Sequence, residues 1–339
     1  MDNNGNQPRY QEVDFNSSNY FNMCWMKINS QTQLNDTSFA YSDVESITAG
    51  FFIALESIIG AFLNFIVILA LVRSSDLRKE YLTPTIVSIA ITDFLFSVIA
   101  LPVLSLLFFM SDMPLTSITL YSFISYGLWF SSAWNLLGVS ILRYIAVFYP
   151  KITKKEGFQR SVILIPVMAW IIPFLFLVPT LIGKYGQFGL ECKTLILRFI
   201  PININGNPTA IEPETFMSGV MGIVGILVFL LNIATYAQIS RKLQDLLMEM
   251  TNNNLEATKR LMAREKSVGI MVAIVSVSFF LVYFPTIVLR WIDQNASVTK
   301  TTATIICYLI NWSIGIIDPL IYMICRKNYR DEIKCLLKS

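Results

Sequence analysis

The chain of 339 residues contains no histidine, and charged residues make up only 14% of it. Without histidine the commonest general base of enzymes is missing, and no nucleophile has a base at a recognisable spacing. We therefore expect no enzymatic activity. The net charge of +3 gives no reason to expect a nucleic-acid partner. With 54% hydrophobic residues, the composition lies outside the usual range of a soluble domain of this length.

Seven long apolar stretches account for this composition. A helix needs about 20 residues to cross the hydrocarbon core of a bilayer, which is about 30 Å thick. The stretches cover about 50–72, 82–109, 117–148, 161–183, 215–239, 267–291 and 302–325. The sequence therefore predicts an all-α membrane protein, with a seven-transmembrane helix bundle in residues 47–325.

Basic residues indicate how the bundle is oriented, because Lys and Arg concentrate in inner loops. With the N-terminus outside, 18 of the 26 basic residues lie in the inner loops and the tail. The glycosylation sequons at Asn16, Asn35 and Asn295 then all face outwards. Residues 1–46 contain no basic region followed by an apolar one, so we expect no cleaved signal peptide. We expect a disordered, glycosylated extracellular segment and a multi-pass protein of the plasma membrane.

The five cysteines are odd in number and allow at most two disulfides. Cys24 and Cys192 both face the oxidising side in this topology, so they could form a disulfide. Two free or intermolecular thiols are the alternative.

Three segments outside the spans have patterns of their own. The outer loop at about 184–214 is rich in Pro, Gly and Asn, which predicts turns and a hairpin. Leucines at helical spacing after residue 240 predict that the fifth span continues as a cytoplasmic helix. Segment 326–339 combines basic residues with one apolar face, which is typical of a short amphipathic helix on membrane lipid. That face consists of Tyr329, Ile333, Leu336 and Leu337.

Ionisable residues at membrane depth are costly and usually functional, and this chain has them at Asp93, Arg143 and Asp318. Arg143 ends the third span, and Glu265 lies at the inner end of the sixth. Their pairing would hold two helix ends together as a latch. Alternatively, Arg143 merely reaches the interface with its long side chain.

Six motifs in the same order resemble those of rhodopsin-like (class A) G-protein-coupled receptors, over roughly residues 50–337. They are Gly60-Ala61-Phe62-Leu63-Asn64 in span one, Ser88-Ile89-Ala90-Ile91-Thr92-Asp93 in span two, Leu142-Arg143-Tyr144 in span three, Trp170 in span four, Phe279-Phe280-Leu281-Val282-Tyr283-Phe284-Pro285 in span six, and Asp318-Pro319-Leu320-Ile321-Tyr322 followed by Tyr329.

The resemblance implies an activation switch. In the family the inner half of span six swings outward and releases the arginine, and a heterotrimeric G protein inserts the C-terminal helix of its α subunit. Pro285 and Pro319 would then be hinges, although a static kink is the alternative for each. The switch residues carried over are Arg143, Tyr144, Tyr236, Glu265, Phe279, Tyr283, Pro285, Asp318, Pro319 and Tyr322.

The resemblance also implies a ligand pocket in the outer third of the bundle. Ser125 lies 18 residues before Arg143, or about 27 Å along a helix. The implied walls are Ser125, Tyr126, Trp129, Tyr283, Arg290 and Trp312. Amine receptors of the family have Asp where this chain has Ser125, and Trp312 occupies the retinal-lysine position. We expect a peptide ligand, with a small chemosensory molecule as the alternative. Arg290 could bind a carboxylate or phosphate, or lie at the membrane interface.

Asp93 and Asp318 share one depth on facing spans. By resemblance, Asp93 would bind a sodium ion with Ser132, and Asp318 lies close by. A structural hydrogen bond through Asn64 is the alternative. No other cofactor is expected.

Several positions depart from the family pattern. Leu142 replaces the acid before the arginine, and Ile118 replaces the cysteine that usually bridges to the outer loop, so Cys192 lacks its standard partner. A seven-helix transporter or channel is the alternative class. It is disfavoured because the polar residues form two layers rather than a path and the chain has no internal repeat.

Overall fold

The computed structural model describes residues 42–78, 80–110, 115–153, 155–191, 196–200, 213–249, 255–296 and 301–338. The expectations for Asn16, Asn35, Cys24 and Cys192 lie outside these residues. Glu265, Arg290 and Asn295 lie in a described helix, but their side chains are outside the description.

Thirteen α-helices and two strands make up the described part of the chain. The helices are α1 (Asp43–Arg73), α2 (Ser75–Arg78), α3 (Thr83–Leu95), α4 (Leu101–Met110), α5 (Leu115–Phe148), α6 (Pro150–Thr153), α7 (Glu156–Ser161), α8 (Leu164–Leu181), α9 (Pro213–Glu249), α10 (Leu255–Ala296), α11 (Thr301–Trp312), α12 (Ile314–Cys325) and α13 (Lys327–Lys338). The strands are β1 (Gln187–Glu191) and β2 (Ile196–Ile200).

Six apolar helical segments in the described residues are long enough to cross a bilayer, and α11 with α12 forms a seventh, bent by 44°. This agrees with the seven predicted spans. The helices of the fifth and sixth spans, α9 and α10, continue well beyond their apolar stretches. Helix α9 ends only at Glu249, as the leucine spacing predicted. The first helix begins at Asp43, where Ser42 and Glu45 form a capping box.

Helix α5 is the centre of the bundle and packs against α3, α8 and α9. In its apolar segment 72% of the residues are buried, against 22–50% in the five other continuous spans. Side chains of this helix can therefore meet residues from several neighbouring helices at once. The outward faces of the peripheral helices are apolar and exposed, as lipid contact requires.

Two spans are not regular α-helices. In the second span a π-helical turn, Phe96–Ala100, separates α3 from α4. Pro102 follows it and lacks the N–H that a regular helix would donate to the carbonyl four residues earlier. In the seventh span the helix is interrupted at Ser313. Neither irregularity was among the sequence expectations.

The predicted hairpin is present in the outer loop. Strands β1 and β2 are antiparallel, with Phe188 opposite Phe199. Both phenylalanines are buried, and both rings contact Tyr126 of α5, with centroids 6.2 and 4.6 Å away. The Tyr126 hydroxyl donates a hydrogen bond to the carbonyl of Leu197 (2.7 Å). The hairpin is thus anchored in the outer end of the bundle.

At the inner end, helix α13 is the predicted amphipathic helix. Its Tyr329 and Ile333 are buried. Nη2 of Arg326, just before α13, lies 2.7 Å from both carboxylate oxygens of Glu80, in the loop before α3. Burial raises the pKa of Tyr329, against a smaller lowering by the Arg326 guanidinium, so its hydroxyl stays neutral. The hydroxyl of Ser267 in α10 donates to the carbonyl of Cys325 (2.8 Å).

Candidate functional site

An aromatic cavity lies in the outer part of the bundle, beneath strand β2. It holds about 580 Å³ of free space, part of which is open solvent. Its described walls come from the second, third, sixth and seventh spans and from β2. They are Phe96, Leu104, Tyr121, Ser125, Tyr126, Trp129, Leu197, Thr286, Tyr308, Asn311 and Trp312.

The expected pocket coincides largely with this cavity. Ser125, Tyr126, Trp129 and Trp312 lie in its wall. Tyr283 lies one layer deeper, with its ring centroid 5.1 Å from that of Trp129.

Seven wall residues were missed by the sequence reasoning: Phe96, Leu104, Tyr121, Leu197, Thr286, Tyr308 and Asn311. Asn311 had a signal, since a polar residue inside an apolar span is rarely accidental. It is buried, and its amide donates to the hydroxyl of Thr286 (3.0 Å), which links spans six and seven at the cavity floor. Helical periodicity from Trp312 could also have found Tyr308, four residues earlier on the same helix face.

A column of rings continues from the cavity towards the middle of the bundle. Trp129 contacts Tyr283, and the ring of Tyr283 lies 4.1 Å from that of Phe279 one turn further inward. Pro285 lies in α10 next to Thr286 of the cavity wall. A change in cavity contents can therefore reach the helix on both sides of this proline.

Asp93 and Asp318 are both buried in the middle of the bundle. The Ser132 hydroxyl donates to Oδ1 of Asp93 (3.3 Å), while Oδ2 of Asp93 and Oδ1 of Asp318 have no hydrogen-bond partner among the described groups. Carboxylate and hydroxyl oxygens suit a hard cation, so the residues present fit a sodium ion. The alternative partner, Asn64, donates instead to the carbonyls of Gly60 and Gly315 (3.0 and 2.7 Å).

Arg143 lies near the inner end of α5 and is only 1% exposed, the most buried cation among the described residues. A Cβ atom on Gly269 of α10 would lie 3.0 Å from its Nη2. The guanidinium thus packs directly on the backbone of the sixth span. Glu265 precedes Gly269 by about one helical turn, but its side chain lies outside the description, so its pairing with Arg143 stays a prediction.

The remaining switch residues surround this inner end. Tyr144 stacks on Phe148, with ring centroids 4.3 Å apart. Tyr322 and Pro319 in α12 are buried, whereas the side chain of Tyr236 in α9 is 54% exposed and points away from the bundle. Tyr236 therefore has to turn to reach the inner cavity that the family resemblance implies.

Residues 63–322 match the family model described as "7 transmembrane receptor (rhodopsin family)". The chain belongs to this family. The chain is therefore a multi-pass membrane protein of a generally non-enzymatic family. This membership favours the receptor interpretation over that of a transporter or channel.

Individual relatives of the receptor are distant. "Protein trapped in endoderm-1" of Drosophila melanogaster is 22% identical, and the alignment covers 88% of this chain and 80% of that protein. "Galanin receptor 2a" of Danio rerio is 24% identical, covering 86% and 78%. The crystal structure of squid rhodopsin superposes with a TM-score of 0.77 at 18% identity, covering 92% of this chain and 91% of that one. The fold is thus that of the family.

Proposed function

We propose that the receptor binds an extracellular ligand in the outer cavity and in response activates a heterotrimeric G protein at its inner end. One observation carries this proposal: the same two helices contribute to both ends. Helix α5 supplies Ser125 to the cavity and Arg143 to the inner end, and α10 supplies Thr286 and Gly269. A change in how α5 and α10 pack at the cavity therefore alters their contact at Arg143.

The transition is an outward movement of the inner half of α10 about Pro285. Proline removes one hydrogen bond from the helix ladder, which makes bending at this point less costly. A ligand that fits the cavity better in the moved state shifts the population towards it. The movement separates Gly269 from Arg143, and the space it opens receives the C-terminal helix of the Gα subunit.

The described walls suit an aromatic group with hydrogen-bonding capacity. Tyr, Trp and Phe rings surround it, and Ser125, Thr286 and Asn311 provide polar atoms. An aromatic side chain of a peptide meets these requirements, as does a small aromatic molecule. A relative named a galanin receptor supports a ligand that arrives from outside the cell. Arg290 adds a cation at the outer end of span six.

The topology that accompanies this function places the receptor in the plasma membrane with an extracellular N-terminus. Asn16, Asn35 and Asn295 carry glycans, and Cys24 pairs with Cys192. Asp93, Asp318 and Ser132 would hold a sodium ion, whose charge would offset the two buried carboxylates.

The decisive experiment expresses the full chain with a panel of Gα reporters and screens peptide and small-molecule libraries. A hit must depend on both ends of the bundle. Trp129→Ala should weaken the response by raising the required concentration, and Arg143→Gln should abolish signalling while binding is retained. Phe280→Ala is the matched control for the aromatic deletion, because Phe280 is 53% exposed and faces away from the cavity. A Gα reporter response that survives Arg143→Gln, or a ligand that binds in the cavity while every Gα reporter stays silent, contradicts the proposal.

A further inference from the structure

We propose that Asn232 of α9 is a resting-state restraint that ties the third and sixth spans together, and that its release is a required step of activation. This inference rests on the function proposed above, since it concerns how the movement of α10 is held back. It involves a cluster of three polar side chains between the cavity and Arg143.

The Asn232 amide lies between two serines from different helices. Its Nδ2 donates one hydrogen bond to Oγ of Ser276 in α10 (2.7 Å) and another to Oγ of Ser140 in α5 (3.2 Å). Ser140 is 0% and Ser276 is 8% exposed. One amide nitrogen therefore bridges spans three, five and six.

The direction of these bonds is set by the serines themselves. Ser140 donates its own proton to the carbonyl of Leu136 (2.9 Å), and Ser276 donates to that of Val272 (2.8 Å). Each hydroxyl thus presents only lone pairs to Asn232. An amide NH₂ has two protons to donate and matches both acceptors, whereas a single hydroxyl in its place could donate to only one serine.

The surroundings make these bonds consequential. Hydrocarbon offers no replacement partners for a polar group. Interhelical hydrogen bonds in membrane proteins change an equilibrium by about threefold each on average, and by more in the best cases. The state that contains both bonds is therefore favoured about threefold over a state that keeps only one of them.

The position of the cluster makes it sensitive to movement of α10. Ser276 lies nine residues inward from Pro285, or about 13 Å along the helix. A swing of about 5° about Pro285 displaces Ser276 by about 1 Å, enough to take a 2.7 Å bond beyond useful length. The amide then keeps at most its bond to Ser140 once the sixth span has moved.

The test measures the position of α10 directly in the full-length receptor. Spin labels are attached at Lys151→Cys and Ile270→Cys, both exposed in the structure, in a background with Cys307, Cys325 and Cys335 replaced by serine. Distances are measured by pulsed electron paramagnetic resonance. We expect Asn232→Leu, which keeps the branched side-chain shape, to raise the ratio of open to closed conformers about threefold. Ser276→Ala should raise it about threefold, and the double variant should not exceed Asn232→Leu alone.

Thr235→Val provides the matched control. Thr235 lies less than one turn from Asn232 on α9 and is buried, but its hydroxyl donates only within its own helix, to the carbonyl of Leu231 (2.7 Å). It should leave the distance distribution unchanged. If Thr235→Val acts as strongly as Asn232→Leu, or if Asn232→Leu folds and its distances match those of the parent, the restraint is disproved. Should Asn232→Leu fail to reach the membrane, Ser276→Ala alone decides the outcome by the same criterion.

Basal signalling of the same variants separates this inference from the proposed function. Shifted distances together with raised signalling support both. If the distances shift while every Gα reporter remains silent, the restraint stands and the G-protein proposal fails.

Discussion

Replacing Glu80 by alanine should destabilise the inner end of the receptor more than removal of an ordinary surface ion pair would. Surface pairs contribute about 0–1 kcal/mol. Here the side chains of Arg326 and Glu80 are only 4% and 9% exposed. The guanidinium also lies 5.5 Å from the ring centre of Tyr329, so it is enclosed on a second side. The variant would leave a permanent cation buried without its carboxylate.

The expected magnitude follows from that burial. Removing one partner of a buried pair costs about 3–5 kcal/mol. Because Glu80 retains some exposure at the inner boundary, we expect the lower end, about 3 kcal/mol. At the usual unfolding entropy per residue, a chain of 339 residues changes its Tm by about 1.4 °C per kcal/mol, so the Tm should fall by about 4 °C. The double variant Glu80→Leu/Arg326→Met should recover most of the loss, because it removes both charges and keeps the volume.

The assay is thermal unfolding of the detergent-purified receptor, followed by the reaction of a dye with newly exposed thiols such as Cys307. Lys327→Met serves as the control for loss of a neighbouring cation, since Lys327 is exposed. A double variant whose Tm is lowered by the sum of the two single changes would refute the reasoning, because it would mean that the side chains contribute independently.

Three further outcomes are expected. Glu265→Ala should raise ligand-independent signalling severalfold by weakening the hold on the sixth span, and unchanged basal signalling at normal surface expression would count against the latch. A non-reduced digest should contain a linked peptide pair with Cys24 and Cys192, whereas alkylation of both thiols without reduction would rule out that disulfide. Tyr126→Phe removes the hydrogen bond to the hairpin carbonyl, so the free energy of unfolding should fall by about 1 kcal/mol and protease cleavage within the hairpin should accelerate. Equal cleavage rates would show that ring packing alone holds the strands.

Most of the fold could be predicted from the sequence, because a long apolar run has few alternatives to a helix in lipid. The bounds were less predictable where a helix leaves the membrane. Helix α10 begins at Leu255, twelve residues before the apolar stretch that marks the sixth span. Helical hydrogen bonding continues there although hydropathy no longer indicates it. The break at Ser313 depends on how neighbouring helices pack, which hydropathy does not report.

The outer site was predicted in part for a similar reason. Counting turns from Arg143 put Ser125 in the outer third of the bundle, and the resemblance added Tyr126 and Trp129; all three lie in the cavity wall, since α5 is one regular helix. The same counting had no way to place Leu197, because that residue reaches the cavity through a hairpin. Asn232 was overlooked even though it obeys the rule that identified Asp93: a polar side chain within an apolar span requires an explanation.

The π-helical turn at Phe96–Ala100 determines which residues of the second span face the cavity. Such a turn inserts one residue into an α-helix, and one residue corresponds to about 100° of rotation. Deleting a single residue there would restore a regular α-helix and rotate every side chain on the outward portion of that helix by this angle. Leu104 would then leave the cavity wall and a different set of side chains would replace it, although no amino acid beyond the deletion had changed. Insertions and deletions within these five residues are therefore a direct route by which related chains could acquire new ligand preferences.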